Sequence, residues 1–417
     1  MMKPNKRVAI TGLGPVSAAG IGWNSFSPAI LKNFSGISPI TVFGTDQYRS
    51  HMAAHIPAFD IDEYLESQKA YLDRSSQLAL AATALALEDA DIDAHDLDLR
   101  TTALSLGSAV GSLETMTMFF QGFLEKGPRL VKPFLFQHTY SNTAISLIAI
   151  EYGLMCMHLN FASGFVASGH AITEAFDLIR SGRTKVAIAG GFDALSEALF
   201  AGLNASEFIS PDTETGKEIS APFDEHRNGF ILGEGACVLI LEEFDHAIAR
   251  GANIHAELVG CGMASSEDNR ESRSSGASAG IFNAMNSAIQ AGNTDVNNID
   301  LVMASANGSK IQDFIEANAL IRLFGDSSSS ISVTSIKPLI GETLGAGSSF
   351  QIAASIAAIK AQSVPAIINL RTPEKGLQLG FVTDTPLNKN IRSVLTNSID
   401  PGGSAVSFLV LSSQTTI

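Results

Sequence analysis

Short apolar runs that end on glycine recur along the chain: Val8-Ala-Ile-Thr-Gly12, Val186-Ala-Ile-Ala-Gly-Gly191 and Leu301-Val-Met-Ala-Ser-Ala-Asn-Gly308. Runs of this length with glycine punctuation predict strands buried on both faces. Between them the period changes. Residues 77–90 are dense in Ala and Leu, strong helix formers. From Gly169 to Arg180, the residues Ala171, Ile172, Ala175, Phe176 and Ile179 fall on one helical face. Gln351 to Ala361 predicts another helix, stopped by Ser363-Val-Pro365 because proline cannot continue it. Strands alternating with helices predict an α/β protein whose sheets are covered on both faces.

A strand-like segment, Ala256 to Gly260, is followed by a Ser- and Asn-rich stretch from Ser265 to Gly276. This places a boundary between two halves, 1–260 and 261–417. No linker is long enough to hold them apart, so one packed body is expected. Lys3, Lys6 and Arg7 before the apolar stretch Val8 to Ile21 imitate a secretion signal. Glycines and Pro15 interrupt that stretch, which predicts strand and turn instead.

Composition narrows the function classes. The 417 residues are 45% hydrophobic and 17% charged, with a net charge of −15. That excess of negative charge repels nucleic acid and anionic membrane surfaces. No run of 18 apolar residues exists to span a bilayer. Cys156, Cys237 and Cys261 are too scattered for a disulfide framework or a zinc site, so no metal and a cytoplasmic location are expected.

Motifs along nearly the whole length then resemble β-ketoacyl-ACP synthases, the condensing enzymes of the thiolase fold. They include residues 9–17, Gly107-Ser-Ala-Val-Gly111, Ala221-Pro-Phe-Asp224, Arg227-Asn-Gly-Phe230 and Gly233-Glu-Gly235. Further on come Ser335-Ile-Lys337, Gly345-Ala-Gly347, Asn397-Ser398 and Gly402-Gly403. The resemblance implies a thiolase-like α/β fold, two similar halves forming a five-layered αβαβα body.

Such enzymes use a cysteine nucleophile at a helix start and two histidines that stabilise charge on a thioester oxygen. Counting back from Gly190-Gly191, the nucleophile position holds Phe165. All nine histidines fall at or before His255. The first histidine position holds Asn307 and the second Glu342. An amide still donates a hydrogen bond. An ionised carboxylate facing a malonyl carboxylate at 4 Å is repelled by about 4 kcal/mol at an effective dielectric near 20. That is about three powers of ten in rate. The resemblance therefore implies a chain that is not an enzyme by itself. Asp313, Glu316 and Lys337 match the family's acidic pair and buried lysine, and imply a retained ion-pair network between the halves.

A ketosynthase-like chain with these substitutions resembles the chain length factor of type II polyketide synthases. The resemblance implies a heterodimer with an active ketosynthase, acting on chains carried by a phosphopantetheinyl acyl carrier protein, with no cofactor of its own. Bulky side chains would close a tunnel at the shared interface and set product length, an aromatic polyketide being favoured. On that resemblance Val110, Leu113, Phe120 and Leu199 are the gate. Two alternatives remain open: a partner in polyene or fatty-acyl synthesis, and an independent hydrolase with another nucleophile, for which Ser168, one of two serines flanking Phe165, is the candidate, although it lacks the G-x-S-x-G elbow and His170 is expected to point elsewhere.

Overall fold

The structure, a computed structural model, describes residues 5–65, 67, 69–212, 217–266 and 276–413. The soft stretch expected at 265–276 falls mostly outside these residues. In the first half the strands along the main sheet are β1 (Val8–Ser17), β2 (Thr102–Gly107), β3 (Met157–Phe161), β4 (Val186–Asp193) and β5 (Gly235–Glu243). In the second they are β6 (Ala256–Ser265), β7 (Leu301–Met303), β8 (Ser332–Thr334), β9 (Gly380–Phe381), β10 (Ser393–Ile399) and β11 (Ser404–Leu411).

Hydrogen bonding orders them β9–β8–β7–β10–β11–β6–β1–β5–β4–β2–β3. The two halves repeat one topology: β3–β2–β4–β5–β1 is matched by β8–β7–β10–β11–β6, with β9 added at the far edge. In each, the three strands farthest from the join run parallel and the rest antiparallel. The halves meet along β1 and β6, where Val8 to Ile10 pair antiparallel with Leu258 to Ala256.

Helices supply the other layers. The ten that matter here are α1 (Trp23–Leu31), α2 (Arg74–Asp89), α3 (Leu113–Lys126), α4 (Pro133–Phe136), α5 (Thr143–Glu151), α6 (Ala167–Arg180), α7 (Glu197–Ala205), α8 (Ala279–Ala291), α9 (Gln312–Phe324) and α10 (Gly347–Ala361). Helices α2 and α5 cover the outer face of the first sheet, and α8 and α9 that of the second. Helices α6 and α10 lie between the sheets and touch each other. Thirteen of the fifteen residues of α10 are buried, as a helix enclosed on every side requires.

The helix-over-sheet contact is set by a Gly-x-Gly pair that appears once in each half. A Cβ on Gly12 or Gly14 of β1 would lie 2.3 Å from the Ala86 carbonyl oxygen or 1.9 Å from that of Ala82, on α2. A Cβ on Gly260 or Gly262 of β6 would come within 2.0 Å of the Ala288 or Ala284 carbonyl oxygen, on α8. Only glycine lets helix backbone approach strand backbone this closely.

The predicted helices are longer at their starts. Helix α2 begins at Arg74, behind an Asp73 side chain that accepts from the Ser76 amide, and α10 begins at Gly347. The run from Leu301 to Gly308 is strand only to Met303; beyond it, carboxylates of α9 take the backbone amides.

Candidate functional site

Helices α6 and α10 point their N-termini at one spot. A Cβ on Gly347, the first residue of α10, would lie 3.1 Å from Lys337 Nζ, 3.8 Å from the Phe165 carbonyl oxygen and 4.0 Å from Glu342 Oε1. The three positions that the resemblance singled out by their substitutions are therefore served by one cluster.

Phe165 sits in a tight turn just ahead of α6. Gly164 makes that turn at φ +66°, where any Cβ would fall 2.1 Å from Asp400 Oδ2. The Phe165 amide donates to that same oxygen at 2.9 Å, while Asp400 Oδ1 accepts from Gly402. A carboxylate thus already occupies the donor at this helix start, where negative charge is favoured. The half-buried Phe165 ring packs edge-on to Phe230, centroids 6.1 Å apart.

Glu342 is buried, and its oxygens are committed. Oε1 accepts from Lys337 Nζ at 2.6 Å and the Leu344 amide at 3.1 Å; Oε2 accepts from Asn307 Nδ2 at 2.8 Å. The Asn307 side-chain oxygen accepts from the Ser309 amide. Amide, carboxylate and ammonium satisfy one another, so the polar groups form a closed lock beside an aromatic ring.

Asp313 and Glu316 stand behind it on α9, both fully buried. Asp313 accepts from the amides of Phe223, Asn307 and Gly308, with Arg227 Nε at 3.5 Å. Glu316 accepts from the amides of Ser305 and Ala306 and from Asn397. Burial outweighs these donors and raises Asp313 to about 6 and Glu316 to about 7. The three expected network residues do not pair directly. Lys337 bonds to Glu342 and reaches Asp313 only through Asn307. Arg227 makes ion pairs across the halves, with Asp313 and with Glu374.

Of the expected gate residues, Val110, Leu113 and Leu199 pack in one cluster with Phe165, Phe230 and Leu344. Phe120 does not join them. It lies two turns further along α3, 54% exposed, against Phe119 at 5.8 Å. Asp193, at the end of β4, is the residue that sequence reasoning missed here. Its fully buried carboxylate accepts from Ser108 Oγ and from the amides of Ala109, Val110 and Gly345, and burial raises it to about 6. It fixes the turn that carries Val110 and ties that turn to the loop before α10. An acid directly after Gly190-Gly191-Phe192 was the available signal.

His170 pairs with Ser163, Nδ1 to Oγ 2.8 Å, whereas Ser168 is fully buried with no hydrogen-bond partner. Ser168, the nucleophile of the hydrolase alternative, therefore has no base bonded to it, and His170 turns to Ser163 instead. Among the described residues, no group of three His, Cys, Asp or Glu side chains is arranged to hold a metal, and no helix is long and apolar enough to cross a membrane.

Two sheets of one topology, two buried helices between them and a site where those helices start define a thiolase-like condensing-enzyme architecture. The model of the beta-ketoacyl synthase N-terminal domain matches residues 5–247, and that of the C-terminal domain residues 255–371. The chain belongs to the beta-ketoacyl synthase family.

It is 31% identical to 3-oxoacyl-[acyl-carrier-protein] synthase 2 of Vibrio harveyi over 401 residues, covering 95% of this chain and 96% of the relative. It is 30% identical to the synthase of the same name from Staphylococcus aureus strain N315, covering 96% and 97%. Among solved structures it resembles the ishigamide ketosynthase/chain length factor, with TM-score 0.90, 27% identity and coverage of 98% and 99%. A beta-ketoacyl synthase from Burkholderia phymatum gives TM-score 0.89, 27% identity and coverage of 98% and 100%.

These relatives correct one expectation. Three substituted positions pointed to a chain that is not an enzyme, but the curated relatives matched along almost its full length are named as catalytic synthases. Substitution at three side chains changes the chemistry available at one spot. It does not take the chain out of a class of enzymes whose whole frame it keeps.

Proposed function

We propose that this chain pairs with a ketosynthase and that its wall at the shared interface limits how long a carrier-bound acyl chain grows. The supporting observation is an apolar face continuous with the site. Eleven of the sixteen strongly exposed large apolar side chains among the described residues fall between Met118 and Met157. They lie on α3, α4, the end of α5, the edge strand β3 and the loops between them. Phe120, Phe119, Phe136 and Tyr140 run ring to ring, with centroids 5.3 to 5.8 Å apart.

So large an apolar face is unusual on a free monomer and characterises an interface. Strand β3 adds an unpaired sheet edge, which a partner strand can satisfy. The first turn of α3 brings Leu113 into the cluster around Phe165, so one helix links the outer face to the site. The likeness to the ishigamide ketosynthase/chain length factor supports the same reading, as does the likeness to a type II polyketide synthase acyl-carrier protein in complex with its ketosynthase bound to the hexaketide (TM-score 0.88, 25% identity, coverage 98% and 100%).

Co-expression with a ketosynthase that keeps the cysteine and both histidines tests the pairing. Equal amounts should co-purify in a complex that buries more than about 2,000 Å² and survives high salt, as apolar obligate interfaces do. Leu124→Asp and Met155→Asp together should dissociate it. A monodisperse single chain that ignores the ketosynthase would defeat the proposal.

A further inference from the structure

At the far end of α10, roughly 20 Å from the site at 1.5 Å per residue, four segments distant in sequence bring together a carboxylate, an imidazole and an amine. Asp89 ends α2, His255 precedes β6, Lys360 lies in the last turn of α10, and Trp23 opens α1. His255 is 3% exposed. Its Nδ1 is hydrogen-bonded to Lys360 Nζ, and its Nε2 lies 2.8 Å from Asp89 Oδ2, off the line of a straight hydrogen bond. Asp89 Oδ2 also accepts from the Leu13 amide. The indole of Trp23 meets the imidazole edge-on at 5.8 Å and lies under the Lys360 amine at 5.7 Å.

His255 and Lys360 face a cleft of about 860 Å³ whose lining includes Asn253, Asn390, Arg392 and Ser412 as well as Ile254 and Ile391. The charged groups around the amine are thus Asp89, behind the imidazole, and Arg392, across the cleft. The hydrogen-bond partner of Lys360 is an imidazole and not a carboxylate. An imidazole can take the amine's proton, and the Asp89 charge then stabilises the imidazolium. Nucleophile, base and orienting acid stand in the order that activates a hydroxyl or thiol elsewhere.

We propose that Lys360 is a reactive amine, acylated at Nζ by small acyl thioesters that enter this cleft. The amine lone pair adds to the thioester carbonyl carbon, the C–N bond forms and the C–S bond breaks. The displaced N–H proton passes to His255 and from there to the departing thiolate, leaving an amide and a free thiol. The side chain is exposed to the cleft, but the protein packed around the amine still desolvates it and lowers its affinity for the proton, with Asp89 opposing, so more of the free amine is present near neutral pH than at an unperturbed lysine.

The test incubates the full chain with S-acetyl-N-acetylcysteamine from pH 6.5 to 9 and follows each lysine by peptide mass spectrometry. Lys360 should acetylate about ten-fold faster than the exposed Lys126 at pH 7.5, as an amine with a base beside it would, and its rate should level off at lower pH. His255→Gln should remove the advantage, and Lys360→Arg the adduct. If a variant does not fold, the ranking and pH profile in the unaltered chain decide. A Lys360 no faster than Lys126 across the range, or rates unmoved in a folded His255→Gln protein, would overturn the proposal.

Discussion

Glu342 shows how one residue can be legible while its role is not. Its place after Gly341 stands out in the sequence as a carboxylate where the resemblance calls for histidine. Nothing in the sequence says that Lys337 Nζ and Asn307 Nδ2 converge on it at 2.6 and 2.8 Å. Taken as a free charge it would repel an anionic substrate; paired on both oxygens, it is a strut. Removing one partner of a buried pair leaves the other charge without compensation, at a cost of about 3–5 kcal/mol, whereas replacing both with apolar groups is often neutral. Glu342→Gln should therefore lower stability in urea by about 3 kcal/mol, and adding Lys337→Met should recover much of that loss. A single variant as stable as the parent would show that the pair carries no structural weight. Asp400 and Asp193 went unread for the same reason: their acceptors are filled by the amides of Phe165, Val110 and Gly345, which only the fold brings near.

At the scale of elements, the periodic segments were the legible ones. Strands β1 and β4 and helices α2, α6 and α10 announce themselves because burial imposes a pattern on consecutive residues. The second half was harder. Its strands β7 and β8 have three residues each, too short to show a period, and Asn307 lies in a loop whose amides are held by Asp313 and Glu316. The repeat between halves is written in the sequence only as Gly12-Leu-Gly14 and Gly260-Cys-Gly262, too brief to recognise without the matching helices. Those glycines have a measurable consequence. A methyl on Gly14 or Gly262 lands 1.9 or 2.0 Å from a helix carbonyl oxygen, and backbone cannot step aside as a side chain can. Gly14→Ala and Gly262→Ala should each destabilise by about 1–3 kcal/mol or more, the range for overpacking a rigid core. Equal losses in calorimetry would fit two equivalent halves; an unchanged melting temperature in either would contradict the contact.

For the whole molecule, the joined halves make one packed frame, and most of its exposed large apolar side chains among the described residues gather in one region. The edge strand β3, the aromatic run from Phe120 to Tyr140 and the first turn of α3 connect that region to the ring of Phe165. A frame closed inside and apolar outside is suited to form part of a cavity completed by a second protein. Composition made the apolar fraction plain, but only folding gathers it on one face, because Met118 and Met157 come from separate elements. Product analysis of the reconstituted pair is the most direct measurement. Leu113→Ala, which opens the wall around Phe165, and Phe120→Ala, which trims the outer face, should each shift products to chains at least one extension unit longer while the pair stays assembled. An unchanged product distribution from an intact pair carrying both substitutions would contradict the account.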